Sequence, residues 1–182
     1  MRVVAGRLGG RRLRAPRGRD TRPTSDRVRE ALFAMLGPID GVRVLDLFAG
    51  SGALAIEALS RGAAAATLVE RDARAIGVIR ANLESLQLGS EEARVVHGPA
   101  RAAVRDASAR GDAYDLVLLD PPYRDASALG RELSQALPAI LAPGARVVAE
   151  SDRRAPLELE LPVVVERRYG DTLIRIHHRN GS

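Results

Sequence analysis

The sequence contains no cysteine and no lysine. The missing cysteine excludes disulfides, thiolate metal sites and cysteine nucleophiles. Aromatic residues make up only 3% of the 182, so any core must be built from Ala, Val, Leu and Ile. Apolar residues reach 46%, enough for one domain with a small appendage. No apolar run approaches the ~20 residues that a bilayer span requires, and the N-terminus has no apolar stretch of the kind a signal peptide needs. A cytoplasmic protein without a membrane contact is expected. His97, His177 and His178 have no metal-like spacing; they are expected at the surface or a sheet edge, and no metal is expected.

The net charge is +5, carried entirely by arginine on the basic side. Its distribution is uneven. Residues 1–30 hold ten arginines against Asp20, Asp26 and Glu30, while acidic groups slightly outnumber basic ones in the remainder. A basic segment joined to a near-neutral body suggests contact with a polyanion.

Residues 2–15 read as a β-hairpin turning at Gly9-Gly10. Thr24 or Ser25 can cap a helix with Val28, Leu32, Met35 and Leu36 on one face, stopped by Gly37-Pro38. From residue 42 strands and helices alternate. The expected strands are Val42–Leu47, Ala66–Glu70, Arg94–His97, Asp115–Asp120 and Arg146–Glu150. The expected helices between them are Ala53–Ser60, Ala73–Leu86, Ala100–Ala109 and Ser127–Leu141. Val163–Arg168 and Thr172–His177 form a closing hairpin. Apolar strands alternating with amphipathic helices point to an α/β fold with a mostly parallel sheet covered on both faces. The expected division is a basic extension, 1–38, and a main domain, 39–182.

Asp46-Leu47-Phe48-Ala49-Gly50-Ser51-Gly52 lies where the first strand of that sheet meets the next helix. Ligands of open parallel sheets bind beyond the carboxyl ends of the strands. Gly50 and Gly52 let the backbone bend sharply and approach a ligand. Glu70 ends the second strand, where a carboxylate can accept bonds from two ribose hydroxyls. A dinucleotide loop is disfavoured. Gly-x-Gly-x-x-Gly is incomplete because position 55 is Ala, and Asp46 would repel a pyrophosphate. Asp46 does suit the ammonium of S-adenosylmethionine. The expected cofactor residues are Asp46, Phe48, Ala49, Gly50, Gly52, Glu70 and Arg71.

Asp120-Pro121-Pro122-Tyr123 ends the fourth strand. An exocyclic base amine is a poor nucleophile, because its lone pair is conjugated into the ring. A carboxylate on one N–H and a backbone carbonyl on the other would hold the amine and offset the charge that develops on it. Asp120 and the Pro121 carbonyl can fill these roles. Pro121 and Pro122 stiffen the loop, and Tyr123 offers a face for stacking an extruded base. This chemistry specifies an amine and leaves guanine and adenine unresolved.

The glycine loop followed by Asp-Pro-Pro-Tyr resembles the amino-methyltransferases of nucleic acids. A longer match runs through Arg22-Pro23-Thr24-Ser25-Asp26-Arg27-Val28-Arg29-Glu30-Ala31-Leu32-Phe33, then Asp46–Leu54, then Glu57-Ala58-Leu59-Ser60-Arg61-Gly62. These stretches resemble the bacterial small-subunit rRNA guanine-N2 methyltransferases, the methyltransferase D type that acts at guanine 966. The resemblance implies a Rossmann-like class I methyltransferase fold with a doubly wound, mostly parallel seven-stranded sheet and a C-terminal antiparallel hairpin. It implies S-adenosylmethionine as methyl donor and a guanine N2 of 16S rRNA as acceptor. The partner it implies is the small ribosomal subunit or its assembly intermediate, met by a monomer. The sequence departs from the family at His97-Gly98-Pro99-Ala100, which lacks the acidic or amide residue that touches the adenine. Ala100 is assigned to that edge, with contacts expected from backbone. Within the basic segment, Arg7, Arg11, Arg12, Arg14, Arg17, Arg22, Arg27 and Arg29 are expected at RNA phosphates.

Overall fold

A computed structural model describes residues 1–16, 25–122 and 126–179. Helix α1 (Asp26–Leu36) starts at Ser25, whose hydroxyl accepts from the Val28 amide, and ends at Gly37 with φ of 67°. The parallel strands are β1 (Arg43–Asp46), β2 (Ala65–Glu70), β3 (Ala93–His97), β4 (Tyr114–Leu119) and β5 (Leu141–Asp152). Between them lie α2 (Ala53–Ser60), α3 (Ala73–Ser85), α4 (Ala100–Arg110) and α5 (Ala126–Ala136). The antiparallel hairpin β6 (Val163–Tyr169) and β7 (Thr172–His178) completes one seven-stranded sheet in the order β3-β2-β1-β4-β5-β7-β6. The chain reverses its direction of growth between β1 and β4, the switch point where such sheets bind ligands.

Alternation along each strand sends side chains to two separate cores. Val44, Leu68, Leu116, Leu118, Val148 and Ile174 pack with α1, α2 and α3. Leu45, Val69, Val117, Leu119, Val147 and Ala149 pack with α4 and α5. All eight residues of α2 are buried, because the N-terminal segment covers the helix face that the sheet does not. Val3, Leu8 and Leu13 of that segment belong to the same core as Val44 and Leu118.

The N-terminal segment is a weaker hairpin than its sequence suggests. It makes one antiparallel bridge, Arg2 to Arg12, because much of its backbone hydrogen bonding is directed into α2. The Val4 and Ala5 amides donate to the Glu57 carboxylate at 2.7 and 3.0 Å. The Leu8 amide donates to the Ser60 hydroxyl at 2.9 Å, and the Arg7 amide to the Ser60 carbonyl at 2.8 Å. Gly6 has φ of +80°, and a Cβ there would lie 1.9 Å from the Ser60 carbonyl oxygen. The Glu57–Gly62 stretch that carries part of the family resemblance is thus where the segment docks.

Two further expectations are corrected. The helix after β4 does not reach Leu141: a single 3-10 turn at Leu137–Ala139, with Pro138 inside it, ends the helical run, and Leu141 already pairs with Tyr114. His177 is fully buried rather than at an edge, because β7 lies between β5 and β6. Its Nδ1 bonds the Leu161 carbonyl at 2.9 Å, and burial lowers its pKa.

Candidate active site

Register places the expected groups around one point. Asp46 of β1 pairs with Leu118 of β4, so Asp120 stands two residues further along the neighbouring strand. Val44, Leu68 and Leu118 share one face, and Asp46, Glu70 and Asp120 follow each of them by two residues. The three carboxylates therefore converge at the carboxyl ends of β1, β2 and β4, on the α2 side of the sheet.

The glycine loop is held by its neighbours. Gly50 and Gly52 have φ of 56° and 80°, the left-handed region that other residues avoid. A Cβ on Gly52 would also meet Leu68 Cδ2 at 3.0 Å, whereas one on Gly50 would meet only the Phe48 carbonyl oxygen, at 4.0 Å. Gly52 is thus fixed by packing, and Gly50 faces open space. The Gly50 amide donates to Glu70 Oε2 at 2.9 Å, and the Arg71 and Asp72 amides donate to Oε1, each at 2.8 Å. Glu70 therefore braces the loop, and Oε2 keeps a lone pair for a ligand hydroxyl. Ala49 is buried, and Phe48 packs on the α4–α5 core. Arg71 is exposed, its carbonyl bonded to His97 Nε2 at 3.1 Å. Ala100 opens α4 behind Pro99.

Burial dominates the electrostatics. Asp46 is 1% exposed and its pKa is pushed up to about 7, by desolvation first, opposed by the Phe48 amide and reinforced by Glu70. Asp120 is raised well above the carboxylate range by desolvation, then by the charges of Glu150 and Asp46. A desolvated carboxylate that resists ionisation is suited to a cationic partner, and Asp46 fits the ammonium of S-adenosylmethionine. The open side of Gly50 admits a ligand against the backbone, and Glu70 can take a ribose hydroxyl. Pro121 is buried and Pro122 exposed. Tyr123 lies outside the described residues, as do Arg17 and Arg22.

The arginines divide. Arg7 pairs with Glu92, and Arg11 donates to the Ser85 carbonyl at 2.8 Å. Arg12, Arg14 and Arg27 are exposed and make no ion pair among the described residues. Arg29 is fully buried and donates to Asp26 and to the Arg2 carbonyl. Its expected place at RNA is corrected: its guanidinium points into the protein and fastens α1 to the N-terminal segment. Three groups were not read from the sequence as functional. Glu57 docks the N-terminal segment, Asn82 links it to the glycine loop, and Glu150 stands beside Asp120.

The family profile described as Conserved hypothetical protein 95 matches residues 1–178. The chain belongs to this family. The resemblance seen at Arg22–Phe33, Asp46–Leu54 and Glu57–Gly62 is borne out at that level. The chain is 40% identical, over its whole length and the whole length of the relative, to the Bacillus subtilis protein named "Putative rRNA methyltransferase YlbH". It is 44% identical over 125 residues to Ribosomal RNA small subunit methyltransferase D of Escherichia coli, a match covering 68% of this chain and 61% of that protein. Among solved structures, the Escherichia coli protein named "Putative methyltransferase yhhF" superposes with a TM-score of 0.83 at 35% identity, over 100% of this chain and 99% of that one. The Conserved hypothetical protein 95 match spans both the docked N-terminal segment and the seven-stranded sheet, and the fold is that of the Rossmann-like class I methyltransferases.

Proposed function

We propose that this protein transfers a methyl group to the exocyclic N2 of a guanine, at the 966-type site of 16S rRNA, within the small ribosomal subunit or its assembly intermediate. The methyl donor is S-adenosylmethionine, which when bound supplies an electrophilic methyl carbon on a sulfonium. The observation that carries the amine-methylating part of the reading is the placement of Asp120-Pro121 directly after β4, with Asp120 two residues past the partner of Asp46. The names of the relatives support ribosomal RNA as the substrate.

Each residue has a physical task. Asp46 receives the donor's ammonium in a site too dry to stabilise its charge alone. The Gly50–Gly52 backbone lets the donor lie close, and Glu70 accepts from its ribose. Asp120 accepts one N–H of the amine and the Pro121 carbonyl accepts the other, so the nitrogen lone pair is turned out of conjugation. Burial raises the basicity of Asp120, which strengthens its bond as positive charge grows on the nitrogen. Pro121 and Pro122 limit the loop's freedom, so alignment is fixed before reaction. The N-terminal segment, with Arg12 and Arg14 exposed, and α1, with Arg27 exposed, supply phosphate contacts, and the protein acts as a monomer.

The test is a map of methylated nucleotides in 16S rRNA from cells with and without this protein. One guanine N2 methyl group should be lost on deletion and restored by the purified protein with S-adenosylmethionine. Survival of every such methyl group, or restoration of an adenine methyl group instead, would overturn the reading.

A further inference from the structure

Arg74, Val78 and Asn82 follow one another at four-residue spacing on α3, which sets them in a row along one face of the helix. Asn82 grips both backbone groups of Arg14, at 2.8 and 3.0 Å. From that clamp the N-terminal segment continues beside the row. Arg14, Ala15 and Pro16 on one side and Arg74 and Val78 on the other line an open groove of about 400 Å³, a volume in the range of small-ligand clefts. Ala15, Pro16 and Val78 make its surface apolar, and an exposed guanidinium stands on each side.

The groove lies on the same edge of the sheet as the methyl-transfer site. Glu70 ends β2, Asp72 caps α3, and Arg74 follows Glu70 by four residues. Strand β2 is two places from β4 in the sheet, a separation of about 10 Å. An RNA chain that places one base between β1 and β4 therefore has its neighbouring nucleotides at this rim. The two guanidiniums are available to such a ligand. Neither makes a hydrogen bond or an ion pair among the described residues. The carboxylate that acts on Arg74 is Asp72, which is shared with Arg71. Its Oδ1 caps α3 by accepting from the Arg74 and Ala75 amides at 2.7 and 3.0 Å. No acidic side chain lines the groove among the described residues.

An apolar surface between two guanidiniums suits a ligand that is flat and apolar in one part and anionic in another. A bare phosphate would leave the apolar surface wet, and an apolar peptide would cover two cations without pairing them. A nucleotide fits both parts: its base packs on the apolar surface, and its phosphate meets the arginines. We propose that this groove binds an unpaired nucleotide that neighbours the target base, with the base against Pro16 and Val78 and the phosphate between Arg14 and Arg74. The inference rests on the ribosomal RNA reading above and holds for either base amine.

The chain has no cysteine, so one introduced beside the groove is a unique attachment point. Gly77 is exposed, lies one helical turn from Arg74, and a Cβ there would meet nothing within 4 Å. Gly77→Cys protein carrying a benzophenone is bound to small subunits from the deletion strain and irradiated, and the crosslinked position is mapped by primer extension. The crosslink should fall on an unpaired 16S rRNA nucleotide next to the target base and should be lost when Arg74→Glu is added. An abasic residue at that nucleotide should weaken binding by about five- to a hundredfold, the scale of one stacked base. Arg74→Ala alone should raise KM for the subunit and lower the salt slope by about one, with kcat and S-adenosylmethionine affinity unchanged. A crosslink to a ribosomal protein, or none from labelled protein that still methylates the subunit, would overturn the inference. So would an abasic residue without effect, or an Arg74→Ala protein with the KM and salt slope of wild type. An RNA crosslink accompanied by methylation of a base other than guanine would instead defeat the guanine-N2 reading and leave the groove assignment standing.

Discussion

The side-chain amide of Asn82 is hydrogen-bonded to both backbone groups of Arg14. The Arg14 amide donates to Oδ1 at 2.8 Å, and Nδ2 donates to the Arg14 carbonyl at 3.0 Å. The same Nδ2 donates to the Ser51 carbonyl at 2.9 Å. Asn82 is fully buried on α3, so one side chain holds the basic segment and the glycine loop in fixed relation. The proposed RNA-contacting segment and the proposed donor loop are thereby joined through a single amide.

Replacing Asn82 with Ala should therefore disturb both functions together. Three hydrogen bonds disappear and partly buried backbone groups are left unpaired, at a cost of about 1–3 kcal/mol in stability. S-adenosylmethionine affinity and small-subunit affinity should both fall, measured by calorimetry and by filter binding on protein that remains folded. An effect confined to one ligand would show that the two segments are independent.

Asp46, in the role proposed for it, should make donor affinity pH-dependent. Its pKa of about 7 in the cofactor-free protein means that it is mainly protonated below that pH, while a cationic ammonium binds the ionised form. Affinity should rise about tenfold per pH unit up to pH 7 and level off above it. The stability of the cofactor-free protein has the opposite trend. The folded state holds a proton that the unfolded state releases near pH 4, so stability falls between about pH 4 and 7. Asp46→Asn should remove the pH slope of binding and weaken affinity. It should also stabilise the cofactor-free protein at pH 8 by on the order of 2–4 kcal/mol. A variant that binds the donor as wild type does would remove Asp46 from the site.

Asp120→Asn keeps the shape of the side chain and removes its charge. The amine then loses the group that offsets its developing positive charge, and kcat should fall by about 10²–10³. Donor affinity should change little, because Asp46 and the glycine loop are untouched. Single-turnover methylation and donor binding, measured on the same preparation, separate the two. Full activity in Asp120→Asn would mean that the amine is held by other groups.

The alternation of strands and helices was legible because strands buried on both faces are runs of apolar residues, as in Val44-Leu45 and Leu116–Leu119. The glycine loop and Asp120 were legible because they follow such strands directly. The start of β5 was not: Pro143-Gly144 reads as a loop, yet the strand passes through it at an irregularity in the pairing with β4, where a proline is tolerated. The docking roles of Glu57, Ser60 and Asn82 were not legible either. The backbone groups they hold lie 31 to 68 residues away in sequence, and a backbone group leaves no mark in the residue pattern. Glu150 had a readable signal. Val147-Val148-Ala149-Glu150 repeats the pattern of Val44-Leu45-Asp46 and Leu118-Leu119-Asp120, buried apolar residues followed by a carboxylate, although β5 runs on to Asp152.

The basic segment makes a prediction that separates binding from folding. Arg12 and Arg14 are exposed, and neither makes an ion pair among the described residues. Changing both to Ala should leave the melting temperature nearly unaltered, since exposed positions contribute little to stability. Small-subunit affinity should fall, and the slope of log Kd against log salt should decrease by about two, one for each phosphate no longer neutralised. Arg29→Ala should do the reverse. Its guanidinium is buried against Asp26 and the Arg2 carbonyl, so truncation opens a cavity and breaks a partly buried ion pair, costing about 3 kcal/mol or more. The salt slope of the Arg29 variant should match wild type wherever the protein is folded. An unchanged slope in the Arg12 and Arg14 double variant would move the RNA surface away from this segment, and a reduced slope in Arg29→Ala alone would show that this arginine leaves its buried site to reach RNA.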